Sequence, residues 1–135
     1  KDLTVQAEAH RLMNITNKSR EFYECKIYMG SINEKNKKKI RLGRISKFIK
    51  NFQDCYEVMI PIRITKTSYL SGSQYEEKGY ELGVINYPRI KNIKNEQAEI
   101  KDFMILLAEA LIVEFNQRRL SVVDDNYVTM YEAKI

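Results

Sequence analysis

Residues 95–119 read NEQAEIKDFMILLAEALIVEFNQRR, and how this stretch folds decides the architecture. Asn95 is suited to cap a helix, because its side-chain oxygen can accept one of the first unpaired backbone N–H groups. Glu96 and Glu99 then fall where the helix dipole favours negative charge, and Arg118 and Arg119 where it favours positive charge. Between them the segment from Phe103 to Phe115 contains neither Gly nor Pro. Asp102, Glu109 and Asn116 form one narrow polar stripe, closely flanked by Ile105, Leu106, Ile112 and Val113, so the helix should be covered on most sides. Its cover is either a curved sheet or a second subunit. The apolar run is shorter than the ~20 residues needed to cross a bilayer and carries two glutamates, so it reads as a core helix.

Working outward, residues 3–15 form an amphipathic pattern that predicts a short helix. Residues 22–29 alternate, with Tyr23, Cys25, Ile27 and Met29 on one face and Glu24 and Lys26 on the other, which predicts a strand. A polar, basic loop follows over 30–39. Ile45, Phe48, Ile49 and Phe52 lie at helical spacing and predict a helix over 44–52. Residues 55–70 alternate again and predict a strand, with Pro61 marking an edge or a bulge because it has no N–H to donate. Ser71-Gly72-Ser73 turns the chain into a partner strand over 75–87, in which Gly79 and Gly83 suggest close backbone approach or bending. Residues 120–123 and 127–131 predict a terminal hairpin turning at Asp124-Asp125-Asn126. The expected fold is α+β in a single domain: an antiparallel or mixed sheet of about five strands, one long buried helix, and one or two short helices on one face.

The composition is that of an ordinary domain large enough for a real core. It has 135 residues, 44% of them hydrophobic and 30% charged. Cys25 and Cys55 match no metal-binding or redox spacing. They are expected to be small buried residues on strands, in a reducing, cytoplasmic compartment. No signal peptide or transit segment is recognisable. The Lys, Asn and Ile richness, with few Pro and Gly, fits an AT-rich genome of a bacterium, phage or mobile element.

Lys+Arg 23 against Asp+Glu 18 gives a net charge of +5, which favours an anionic partner. The strongest compositional signal is the run Lys35, Lys37, Lys38, Lys39, Arg41, Arg44, Lys47 and Lys50. It reads either as a phosphate-binding surface or as a solvated loop and helix face. With Arg63, Arg118 and Arg119, the residues Lys37, Lys38, Lys39, Arg41, Arg44 and Lys47 form the candidate anion-binding set. Tyr69, Tyr75, Tyr80 and Tyr87, with Arg63 and Arg89 nearby, could stack a planar ligand or form an interface, and they could equally be cross-strand pairs. His10 is the single histidine and has no partner at a telling spacing, which argues against His-based acid–base catalysis and most zinc sites. No nucleophile elbow, phosphate-cradling Gly-rich loop or metal motif is present, so no cofactor, metal or catalytic residue is assigned.

These residues fit a non-catalytic, oligomeric binding module acting on nucleic acid or a nucleotide-like ligand, with no membrane partner. Two alternatives stay open: a protein-interaction or structural module of a phage or mobile element, and a small enzyme acting on a phosphorylated substrate.

Overall fold

The computed structural model describes residues 14–88 and 96–134. The predicted N-terminal helix up to residue 13, with His10, and Arg89, the segment 91–94 and the Asn95 cap lie outside the described residues. Strands β1 (Glu24–Gly30), β2 (Arg63–Leu70), β3 (Glu76–Ile85), β4 (Arg119–Val123) and β5 (Val128–Glu132) form one sheet in the order β2-β3-β1-β4-β5. Every pairing is antiparallel, so of the two expected sheet types the antiparallel one is realised. Helices α1 (Leu42–Tyr56) and α2 (Glu96–Phe115) pack on one face, and the fold is α+β.

β1 is central because its alternation is strict: Tyr23 just before it and Cys25, Ile27 and Met29 within it are buried toward the helices. Tyr80, Leu82, Val84, Leu120 and Val122 complete the inner face of the sheet. Onto it α2 directs Ile100, Phe103, Met104, Leu107, Ala108, Leu111 and Phe115, the spacing of a single helical face. Of the two covers expected for α2, the sheet takes one face, and the described residues leave the other flank uncovered. Its far flank is open, with Leu106 44% and Val113 78% exposed. It also ends at Phe115 rather than Arg119, because Asn116 adopts the left-handed conformation (φ 48°) that an Asn tolerates at a helix end.

α1 is longer than the predicted 44–52. Phe48 meets Phe115 edge-on at 5.7 Å, and Phe52 lies 5.5 Å from Phe103, so aromatic packing locks the two helices together. The predicted strand over 55–70 is corrected to Arg63–Leu70. Cys55 and Tyr56 belong to the last turn of α1, which Glu57 closes in the left-handed region (φ 56°). Residues 58–62 alternate like a strand but pair with none, consistent with Pro61 lacking a donor; the side-chain amide of Gln53 donates to the Ile60 carbonyl at 2.6 Å. Cys55 is therefore exposed on a helix, whereas Cys25 is buried on β1 as expected, its thiol pushed up to about 11 by burial.

The terminal hairpin closes on Asp124, whose carboxylate accepts from the backbone N–H groups of Asn126 (3.0 Å) and Tyr127 (2.8 Å). It also accepts from the Tyr23 hydroxyl (3.0 Å) and pairs with Lys101 (3.1 Å). Burial alone would raise this carboxyl. The N–H groups of Tyr127 and Asn126, then Lys101 and Tyr23, outweigh burial and hold it at about 2, below the ordinary 3.8. A depressed carboxylate stabilises the fold fully above its unfolded value, and that stability drains away as pH falls toward the folded one. The contribution is about 2 kcal/mol, lost between about pH 4 and pH 2. Urea midpoints measured across this window are expected to fall more steeply for the wild type than for Asp124→Asn. Equal acid sensitivity in the two proteins would exclude the role.

Candidate ligand cleft on the open sheet face

The sheet face away from the helices has no layer over it among the described residues. Strand pleat and register bring to it Glu24, Lys26 and Tyr28 of β1, Arg63 and Tyr69 of β2, Glu77 and Glu81 of β3, Arg119 and Ser121 of β4, and Met130 of β5. At one end of this face a cleft of about 410 Å³ is lined by Tyr28, Tyr69, Tyr75, Glu77, Arg118, Arg119, Ser121 and Met130. Ile32, Glu34 and Gln117 line it as well.

Two glycines make the cleft concave. A Cβ at Gly79 would run into the backbone carbonyl of Met29 and lie 2.8 Å from the Tyr69 ring, so that ring rests directly on the strand. A Cβ at Gly30 would lie 2.9 Å from Glu77 Oε2, so the carboxylate sits over bare backbone. Gly83 accommodates the Arg63 guanidinium, a side-chain contact, so the close backbone approach expected at Gly79 and Gly83 is met at Gly79.

One wall is aromatic and acidic. Tyr28 and Tyr69 meet edge-to-face at 6.1 Å, and the Tyr75 hydroxyl donates to Glu77 Oε1 at 2.7 Å. Burial, reinforced by the nearby Glu81, Tyr28 and Glu77, pushes the Tyr69 phenol up to about 12. The hydrogen bond to Glu77 raises that of Tyr75. At neutral pH both phenols are therefore protonated donors. The Tyr69 hydroxyl is buried and has no hydrogen-bond partner among the described residues.

The opposite wall is basic. Arg119 reaches Glu132 at 3.3 Å, while Arg118 makes no ion pair among the described residues. Gln117 holds this wall in place. It is 2% exposed, accepts from the Gly30 N–H at 3.1 Å and donates to the Ile32 carbonyl at 3.0 Å. The short segment after α2 is thereby tied to the end of β1.

The residues singled out from sequence are distributed unevenly. Tyr69, Tyr75, Arg118 and Arg119 come together in the cleft. Tyr80 does not: it is 2% exposed in the core and donates to the Ile40 carbonyl at 2.7 Å, so its ring is unavailable for stacking. The strand period decides this, since Tyr80 shares its face with Leu82 and Val84. Tyr87 is half-buried beyond the end of β3 and does not line the cleft. Arg63 lies six residues along β2 from Tyr69, roughly 20 Å away, and pairs with Glu24 at 3.4 Å. Lys37 pairs with Glu34 at 2.9 Å, Lys38 and Lys39 are exposed on the same loop, and Arg41, Arg44 and Lys47 project from the start and outer side of α1. The candidate anion-binding set is thus spread over the molecule rather than gathered at one point.

Tyr28, Glu77 and Gln117 were missed. Tyr28 was accessible, since it continues the outward alternation of Glu24 and Lys26, and Glu77 shares a side with Tyr75 two residues earlier. Nothing in the sequence marks Gln117 as buried.

The fold and cleft together define an antiparallel α+β domain with a concave, tyrosine-rich open sheet face. No protein-family model matches the chain, and no curated protein sequence matches it. Among solved structures it is similar to a phage SAM lyase in complex with S-methyl-5'-thioadenosine. The TM-score there is 0.61 at 12% identity, covering 88% of this chain and 95% of that one. It is also similar to a phage SAM lyase in the apo state, at TM-score 0.63 and 11% identity over 90% and 98% of the two chains. At this identity the likeness is one of fold. No described helix is long and apolar enough to cross a membrane, and the described residues contain no group of His, Cys, Asp and Glu that could hold a metal ion.

Proposed function

We propose that the open-face cleft binds a small nucleoside-type ligand and that the domain acts as a binding module of phage type. The observation that carries this reading is the pairing of a tyrosine wall with the Glu77 carboxylate, facing Arg118 across one cleft of nucleoside-compatible size. Tyr28 and Tyr69 offer π-faces and edges to a base. A carboxylate such as Glu77 suits the vicinal hydroxyls of a ribose, which need an acceptor. Arg118 is free to meet a carboxylate or phosphate on the ligand's tail. The S-methyl-5'-thioadenosine held by one fold neighbour supports the nucleoside class.

The Tyr69 and Tyr75 phenols are raised and serve as hydrogen-bond donors in this reading. The second reading, cleavage of SAM, is favoured by the fold of both neighbours. Self-association belongs to the first reading as well, since Val113 on α2 and Tyr127, Val128 and Met130 beside the β5 edge are exposed apolar side chains.

Native mass spectrometry with added S-methyl-5'-thioadenosine reads ligand and subunit number together. The expected result is a saturable adduct, weakened about tenfold in Glu77→Gln, the scale of a lost charge-assisted hydrogen bond. Absence of the adduct, or equal binding by Glu77→Gln, would sink the cleft assignment. Incubation with SAM and chromatography for a smaller nucleoside product separates the second reading from the first.

A further inference from the structure

On the helix side of the sheet, beyond the part that α1 and α2 cover, lies a second depression of about 360 Å³. Lys39, Lys66, Lys78 and Ser68 line it, with Ser31 and the buried Tyr80 at its floor. Its geometry follows from the register of β2 on β3. Lys66 pairs with Tyr80 and Ser68 with Lys78, so Lys66 and Lys78 are diagonal neighbours on one face, with Cα atoms roughly 7–8 Å apart. Lys39 arrives from the loop, which is pinned there by hydrogen bonds. The Ile40 N–H donates to the Ser31 carbonyl (2.7 Å), the Ser31 N–H donates to the Lys78 carbonyl (3.1 Å), and the Tyr80 hydroxyl donates to the Ile40 carbonyl (2.7 Å).

Three lysines therefore line one concavity whose lining contains no carboxylate. Among the described residues none of the three makes an ion pair, whereas Lys26, Lys37 and Lys101 each do. Like charges gathered on one strand face repel, and the arrangement is relieved when an anion takes the space between them. The depression is bounded, at about 360 Å³, so it suits a single phosphate-type group, free or on a small molecule, better than a long polyanion backbone. Only Lys39 of this trio belongs to the basic run of the sequence.

We infer that this depression is a binding site for a phosphate-type oxyanion, held by Lys39, Lys66 and Lys78 with the Ser68 hydroxyl as a further donor. It lies on the opposite side of the sheet from the nucleoside cleft and stands independently of that assignment. The oxyanion is either free phosphate or the phosphate of a nucleotide.

The test is amide NMR of the full chain titrated with inorganic phosphate, against sodium chloride at matched ionic strength. Expected are saturable shifts at residues 39, 66–68 and 78–79 with phosphate and not with chloride. In the double variant Lys66→Gln/Lys78→Gln the apparent Kd should rise by about tenfold or more, because charge-assisted contacts are lost. Both substituted residues are exposed, and binding of S-methyl-5'-thioadenosine in the cleft should be unaltered in that variant. A parallel titration with adenosine monophosphate separates the sources: equal affinity marks free oxyanion, tighter binding marks a nucleotide. Shifts reproduced by chloride, or undiminished in the double variant, would overturn the inference.

Discussion

Gly79→Ala is expected to lower the stability of the domain by about 3 kcal/mol, at the upper end of overpacking penalties, and to abolish ligand binding in the cleft. The added methyl would collide with the Met29 carbonyl on the neighbouring strand and with the Tyr69 ring. The first contact is backbone, in the pairing of β3 with the central strand β1, and no side-chain rotation relieves it. Relief requires the strands to shift, which strains the β1–β3 ladder. The second contact pushes the Tyr69 ring off its seat and changes the shape of the aromatic wall. A guanidinium chloride midpoint measures the first effect, and calorimetry with S-methyl-5'-thioadenosine, on protein confirmed folded by circular dichroism, the second. Wild-type stability in Gly79→Ala would show that the strands are not packed as described.

Asn86→Leu is expected to cost a comparable amount for a different reason. Asn86 is 6% exposed, and its side chain continues the hydrogen bonding past the end of β3. Oδ1 accepts from the Tyr23 N–H at 2.7 Å, and Nδ2 donates to the Glu21 carbonyl at 2.6 Å. Leucine matches the volume and removes both of these bonds at once, with the longer one from Nδ2 to Glu96 Oε2 at 3.5 Å. The stranded N–H and C=O groups each carry a desolvation penalty of about 1–3 kcal/mol, so the sum is about 3 kcal/mol. The substitution lies far from the cleft along β3, so ligand affinity measured well below the unfolding midpoint should be retained. A loss under 1 kcal/mol by urea denaturation, on the order of a single exposed contact, would mean that water reaches these groups.

The phosphate and nucleoside experiments address opposite faces of one sheet, and the Lys66→Gln/Lys78→Gln and Glu77→Gln proteins serve as controls for each other. The two sites share the β2–β3 hairpin, which presents Tyr69 and Glu77 on one side and Lys66, Ser68 and Lys78 on the other, and the 31–39 loop, which gives Ile32 and Glu34 to the cleft and Ser31 and Lys39 to the depression. Period-two alternation along a single hairpin is enough to build two chemically different surfaces.

Much of the fold was legible in local periodicity. The alternation of Tyr23, Cys25, Ile27 and Met29 marked β1. The uninterrupted apolar run after Glu99 marked α2, and Asp124-Asp125-Asn126 marked the last turn. Local pattern determines these because side-chain direction repeats every two residues in a strand and every 3.6 in a helix. The same rule misled at 55–62, where Val58, Ile60 and Ile62 alternate but find no partner strand. Half of the tyrosine candidates, Tyr69 and Tyr75, reached the cleft; Tyr80 was lost to the core because the hairpin's register, set by pairing with β1, turns it inward. Only tertiary structure could bring Gly30, Glu77 and Gln117 into contact, because they lie on separate elements and depend on strand order. It likewise joined Lys39 to Lys66 and Lys78 and left Val113 exposed. The amino-acid sequence by itself determined which residues are apolar and, outside 55–62, the type of the helices and strands seen among the described residues. Which side chains meet across the sheet was decided by the order β2-β3-β1-β4-β5, a long-range pairing that no local propensity encodes.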